Sequence, residues 1–273
     1  MQRFFSFRAP QPERHFAMDD FEGRDFVVAT ACEGGLLQYE KPLPQLLIAW
    51  LTQEEGPFFD VGANTGFYSL LAAAAARAVR VIAFEPIPDI ATKLQRNVQL
   101  NEGFSARVTV VSQALSRGAG TLQFYETIND KGYLSTSSSF ELAHAKLVGA
   151  EFNTTDVSAT TLDAWAAEHG VGRAAMIKID VEGHEQGVLE GGMEFVRVAR
   201  PLIVLELLQP SNFAFFQNFA ADHRYLNFTL GPDFIKEEPR VEFSPTSWNH
   251  VFCPVEKVYQ FVIAARTAGL EPR

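Results

Sequence analysis

Phe59-Asp60-Val61-Gly62-Ala63-Asn64-Thr65-Gly66 is the stretch on which the fold turns. A short apolar burst, residues 57–61, runs into two glycines, and an Ala-rich helix is expected over about 65–78. A glycine-bearing turn between a strand and a helix N-terminus lets backbone approach a ligand closely. The spacing is Gly-x-x-x-Gly, not the Gly-x-Gly-x-x-Gly of dinucleotide folds. A dinucleotide wants its pyrophosphate at the helix N-terminus. Here Asp60 closes the strand just before the turn, where it would repel a phosphate and suit a cation. The plainer alternative is an ordinary tight turn between strand and helix.

Working outward, the same alternation recurs. Strands are expected at 79–84, 107–111, 175–179 and 201–207, with helices at 89–101, 185–198 and 212–222. Two further strands are expected at 225–230 and 251–254. Apolar strands alternating with helices mean βαβ units and a parallel sheet covered on both faces. The expected fold is α/β: a doubly wound, mostly parallel, seven-stranded, Rossmann-like sheet. Residues 1–38 read as an N-terminal extension, of which 1–24 is a loosely tethered arm and 25–31 a short strand. Residues 39–273 form the main domain, with a helix at 42–53. Residues 126–160 read as an insertion loop after a strand at 121–125, with five hydroxyl residues at 135–139. A stretch this long inside a compact domain is a functional loop or a mobile one, here a candidate lid. A helix capped by Thr161 follows it.

Bulk composition narrows the partners. The 273 residues are 47% apolar and 21% charged, close to soluble globular averages, which excludes a disordered or fibrous chain. A net charge of −10 disfavours nucleic acid and anionic membranes as partners. Cys32 and Cys253 are too few for a disulfide scaffold. The apolar runs 46–51 and 70–76 fall well short of the ~18 residues a spanning helix needs, and no signal-peptide core opens the chain. A cytoplasmic protein is expected. The chain also carries 24 Phe, more than strands and helices account for, in the arm, in the insertion (Phe140, Phe152) and at 213–219. That surplus points to an apolar or aromatic small-molecule acceptor, or to a homodimer contact.

Three groups of residues carry chemistry. Glu85 ends the second strand in Phe84-Glu85-Pro86, where a carboxylate can accept both hydroxyls of a ribose. Ser112, Gln113 and Ala114 end the third strand and are placed to flank an adenine. A sulfonium, a ribose and no phosphate describe S-adenosylmethionine better than NAD. The third group, Ile177-Lys178-Ile179-Asp180-Val181-Glu182-Gly183-His184-Glu185, crowds ionisable residues beyond a buried strand. A carboxylate beside His184 can raise its basicity, which makes Asp180, Glu182 and His184 candidate catalytic residues. Glu206 ends the neighbouring strand, and Asp180 with Glu206 could hold a divalent cation such as Mg²⁺. Solvated helix-capping acids, or carboxylates holding substrate or Lys178, are the plainer readings.

These residues resemble the FkbM-type methyltransferases, which use S-adenosylmethionine, over about residues 39–254. The resemblance rests on Asp60–Gly66, Phe84–Pro86, Asn101, 114–116, 161–163, 177–185, 188–191 and Arg200-Pro201. It implies a class I methyltransferase that usually acts on oxygen. It also implies that Asp60, Gly62, Ala63, Asn64, Gly66, Glu85 and Pro86 hold the cofactor, with Glu40 of Tyr39-Glu40-Lys41-Pro42 reaching its methionine end. The family often carries Ala where His184 stands. The implied reaction is in-line methyl transfer to a hydroxyl, with the arm and the 135–139 loop closing over the acceptor. A nicotinamide-dependent oxidoreductase and a catalytically silent scaffold remain the rival readings.

Overall fold

The computed structural model describes the chain apart from residues 9–12, 128–151, 210 and 246. The chain opens with a hairpin, β1 (Gln2–Arg8) and β2 (Glu13–Asp19), followed by α1 (Phe26–Gly34) and α2 (Leu43–Leu51). Next come β3 (Phe58–Val61), α3 (Phe67–Ala75), β4 (Val81–Phe84), α4 (Pro88–Gln99) and β5 (Val108–Val111). A small separate sheet of β6 (Ala114–Leu115), β7 (Gly120–Thr127) and β8 (Phe152–Thr160) leads to α5 (Leu162–Glu168). Alternation resumes with β9 (Met176–Ile179), α6 (Glu185–Glu190), α7 (Met193–Ala199), β10 (Leu202–Glu206) and α8 (Phe213–Asp222). The last elements are β11 (Tyr225–Leu230), β12 (Phe234–Glu237), β13 (Asn249–Pro254), α9 (Val258–Thr267) and β14 (Glu271–Pro272).

The main sheet runs β14-β12-β11-β13-β10-β9-β3-β4-β5. β10, β9, β3, β4 and β5 are mutually parallel, and β13 lies antiparallel between β10 and β11. These seven are the expected mostly parallel sheet; β12 and β14 widen it beyond β11. Every residue of β3, β4 and β9 is buried, as it must be for strands covered on both faces. Phe58, Val81, Met176 and Val204 face one core with α2, α3 and α9. Phe59, Ile82, Ile177 and Ile203 face the other, with Trp165, Val188 and Phe195. Each such side chain contributes about 1.5–3 kcal/mol on burial. The chain leaves β3 toward β4 and β5 on one side and returns through β9 and β10 on the other. A crevice must therefore open beyond the carboxyl ends of β3 and β9, where open α/β sheets bind ligands.

Four sequence expectations need correction. Residues 25–31 are not a strand: Asp25 accepts from Val28 N as an N-cap, and α1 runs to Gly35 at φ 94°. Local capping outweighs the β-branched Val27 and Val28. The helix expected at 185–198 is two helices that part at Gly191-Gly192, and a Cβ at Gly191 would lie 2.0 Å from the carbonyl oxygen of Ser116. Residues 152–160 form a strand, with Val157 and Ala159 buried between exposed Asp156 and Ser158. The arm is a docked hairpin, not a loose tether. Phe5, Phe7 and Phe16 join the main core, and both amide groups of Asn101 bond to Ala17, at 2.7 and 2.9 Å. Phe216 and Phe219 are likewise core residues. Residues 135–139 and Phe140 lie outside the described residues.

Candidate active site

The β3–α3 turn is held from several directions. Gly62 N and Ala63 N both donate to Phe84 O at 3.0 Å, and Thr65 N donates to Asn64 Oδ1 at 2.8 Å. Gly62 has φ 83°, and a Cβ there would sit 1.9 Å from Asp180 O. Only glycine lets the turn approach the end of β9 so closely. On its outer side, Asn64 N donates to Glu85 Oε2 at 3.0 Å, and Ile87 N donates to Glu85 Oε1 at 2.9 Å. Asn97 of α4 fixes the turn from behind: its Nδ2 donates to Thr65 O at 2.9 Å while its Oδ1 accepts from Asp19 N at 2.8 Å. The hairpin and the glycine turn thus share one buried amide.

A narrow cleft of about 60 Å³ opens beside this turn, between Tyr39, Glu40, Asp60, Asn64, Lys178 and Asp180. Asp60 is buried; its Oδ2 accepts from Ser69 Oγ at 2.6 Å, whereas its Oδ1 has no hydrogen-bond partner among the described residues. Burial pushes the Asp60 carboxyl up, against the pull of Lys178. Tyr68 donates to Glu40 Oε2 at 2.8 Å, and burial raises Glu40 as well. Lys178 is the cation at the centre. Its Nζ lies 2.7 Å from Asp180 Oδ2 and 4.6 Å from the centre of the Tyr68 ring. Burial disfavours its charge, but Asp180, Glu40 and Asp60 outweigh that and hold the ammonium well above its ordinary range. For Asp180, burial is likewise outweighed, by the Lys178 charge and by hydrogen bonds from Lys178 and Glu206, and its carboxyl stays below the usual range. Glu206 takes the proton of this pair: burial, then the neighbouring Asp180, Glu182 and Glu40, push it up to about 11.

Asp180, Glu182 and Glu206 each offer an oxygen within 4.8 Å of the others. The sequence-predicted acids are therefore brought together, but His184 does not join them in that group. Its ring lies against Gly187, with Nε2 2.9 Å from Ser116 Oγ at the end of β6. Glu182, at φ 54°, sits in a loop fixed by the buried Glu185 carboxylate, which accepts from Val181 N at 3.2 Å and Gly183 N at 3.1 Å. Glu40, Asp60, Gly62, Ala63 and Asn64 line the cleft. Glu85, Ser112, Gln113 and Ala114 lie outside its walls, as do Gly66 and Pro86. Gln113 donates to Ser158 at 3.2 Å, and Ala114 packs with Ile87 and Phe124. Gly66 starts α3 at φ 101°, and Pro86 is buried beside Glu85.

Residues 60–231 match the methyltransferase FkbM domain. The chain belongs to the FkbM methyltransferase family. The matched span holds the glycine turn, Glu85 and all the β9 and β10 acids, and leaves Tyr39 and Glu40 upstream of it. Methyltransferase sdnD of Sordaria araneosa is 29% identical to this FkbM-family chain over 178 residues, 57% of this chain and 68% of that protein. The solved methyltransferase FkbM of Methylobacillus flagellatus KT is 14% identical, with a TM-score of 0.48. The match covers 72% of this chain and only 43% of that one. An O-methyltransferase from Bacillus cereus, solved in complex with SAH, is 14% identical, with a TM-score of 0.45 over 83% and 87% of the two chains. No helix among the described residues is long and apolar enough to cross a membrane.

Sequence reading missed Tyr68 and left Lys178 as a mere counter-ion. Tyr68 lies one helical residue beyond Phe67 and carries no motif of its own. The signal for Lys178 was present: a lysine between two isoleucines of a fully buried strand needs a carboxylate partner.

Proposed function

We propose that this chain is an S-adenosylmethionine-dependent O-methyltransferase acting on a hydroxyl of a small molecule. The observation that carries the reading is the Lys178–Asp180–Glu206 arrangement beside a glycine turn whose strand carries Asp60, with one oxygen unpartnered among the described residues. Glu40, Asp60 and Asp180 surround the Lys178 ammonium, so the cleft favours a positively charged ligand group. The donor set fits the cofactor's charged end; Asp60, Asn64 and Glu40 would hold it, and Glu85 with Ser112, Gln113, Ala114 and Pro86 would take the nucleoside. Bound there, S-adenosylmethionine supplies an electrophilic methyl group on a sulfonium.

The residues themselves align and deprotonate the acceptor. Lys178 keeps Asp180 ionised, and protonated Glu206 donates to it, so Asp180 faces the incoming hydroxyl as a fixed hydrogen-bond acceptor. It takes the proton as the acceptor oxygen attacks, a contribution of about 10²–10⁴-fold. Alignment supplies more, on the order of 7–11 kcal/mol for a well-placed pair. His184, held on Ser116, acts on loop geometry in this scheme. Glu182 orients the acceptor.

Calorimetric titration with S-adenosylhomocysteine and with NAD(H), followed by methyl transfer to a panel of hydroxylated acceptors, tests the proposal. Binding of NAD(H) and not of S-adenosylhomocysteine overturns it. Tight binding without transfer to any acceptor favours the silent scaffold. A second reading rests on the three carboxylates within 4.8 Å of one another. After Glu206 gives up its proton they could hold Mg²⁺, which would polarise the hydroxyl. Turnover indifferent to EDTA and to added Mg²⁺ removes that reading.

A further inference from the structure

A larger cavity, about 640 Å³, opens at the opposite edge of the sheet, near the amino-terminal ends of β3, β4 and β9. Its walls come from β2, from the turn after α2, from the end of α3 and from the segment before β9. That volume lies within the range of small-molecule sites. Its chemistry is the reverse of the acidic cleft, because Arg14, Arg77 and Arg173 all line it.

None of these guanidiniums forms an ion pair among the described residues. Arg14 Nε is buried and has no hydrogen-bond partner among the described residues. A buried charged donor left unpaired is costly, so its presence points to a partner that the described residues do not supply. Two carboxylates also border the cavity, but Glu54 is taken by Lys257 at 2.5 Å, and Glu55 is exposed to solvent. A fourth guanidinium, Arg107, stands behind Arg77, bonded to the carbonyls of Ala73 and Ala76 at the end of α3. Burial, and then the Arg77 charge, hold it below its ordinary value, so like charges crowd here. In a chain of net charge −10 this is a local inversion of sign.

We propose that this cavity binds a small oxyanion of the phosphate class, such as a phosphorylated or pyrophosphate-bearing metabolite, at a site separate from the methyl-transfer cleft. Planar guanidinium forks match phosphate oxygens two at a time, which lysines would not. The site does not depend on the methyltransferase reading, since none of its residues touches that cleft. α3 connects the two edges: it begins at the glycine turn and ends at Ala75 on the cavity wall.

The test is calorimetric titration of the full chain with sodium pyrophosphate at constant ionic strength. Saturable binding is expected, weakened about tenfold for each guanidinium removed, in Arg77→Ala and in Arg77→Ala/Arg173→Ala. Both arginines are exposed, so the melting temperature without pyrophosphate and the affinity for S-adenosylhomocysteine should match the parent chain. The proposal is overturned if pyrophosphate gives no saturable heat, if sodium chloride reproduces its effect, or if the double variant binds as well as the parent.

Discussion

Replacing Lys178 by methionine, which keeps the length of the side chain and removes its charge, tests the electrostatic design of the cleft most directly. The lysine side chain is 4% exposed, and its ammonium lies 2.7 Å from an Asp180 carboxylate that is 22% exposed. Removing one partner of a buried pair costs about 3–5 kcal/mol, because the other charge is left uncompensated. The partial exposure of Asp180 lets water soften that penalty, so about 3 kcal/mol is expected near neutral pH. The pH dependence carries the sharper test. Asp180 is held below its ordinary value, so the stability it draws from Lys178 is present above the unfolded carboxyl range, near pH 4, and is lost as pH falls through the depressed folded value. Without the ammonium the Asp180 carboxyl must rise above that range, as must Glu40 and Asp60, which burial already raises. The variant's deficit should therefore be largest at about pH 8 and shrink toward about pH 5, as these groups take up protons. Urea unfolding midpoints at both pH values give the comparison. A loss below about 1 kcal/mol at the higher pH, or one that does not change with pH, would refute the reasoning.

Glu206→Gln mimics the protonated acid that the site already holds, so its stability near pH 5 should lie within about 0.5 kcal/mol of the parent. Glu206 has its folded value raised to about 11, so the parent loses stability as pH rises above the unfolded value of about 4.3, and the variant should gain on it in thermal melts toward pH 8. Asn97→Ala strips the shared amide from Asp19 N and Thr65 O; about 2–4 kcal/mol of stability should be lost, with weaker binding of S-adenosylhomocysteine. Unchanged unfolding and unchanged calorimetric affinity would show that the hairpin and the turn are independent. Asp180→Asn should cut turnover about 10²–10⁴-fold, whereas His184→Ala should leave the pH–rate profile unshifted, because the ring is engaged with Ser116. Loss of the low-pH limb in the His184 variant would return the proton-accepting role to histidine.

Much of this site was legible in the chain because its signals are one-dimensional. Gly62 and Gly66 mark a turn, while Asp60, Glu85, Asp180 and Glu206 each end an apolar run, and a parallel sheet gathers such ends along one edge. What escaped depends on side chains that meet only after folding. Tyr68 reaches Glu40 from a different element, and nothing in either local sequence announces the other. His184 looked like part of the acid cluster by spacing alone, yet the helix start that carries it turns the ring toward β6. The hairpin was readable and misread. Phe5 and Phe7 share one face of β1, and Phe16 lies directly across from Phe5, but the prolines at 10 and 12 read locally as a break and mask the pairing. In α1 the Asp25 cap and the Gly35 stop are both legible in the chain, and together they set a helix across Val27 and Val28.

The amide of Asn97 also bears on how this fold can be recombined. Its two ends satisfy groups on the hairpin and on the glycine turn, while Asn101, one helical turn later, clasps Ala17. A chimera that grafted a foreign amino-terminal hairpin onto this sheet would inherit receptors built for another backbone. The natural unit of exchange is the hairpin together with α4, and a graft that respects that boundary should preserve the register of the turn it supports.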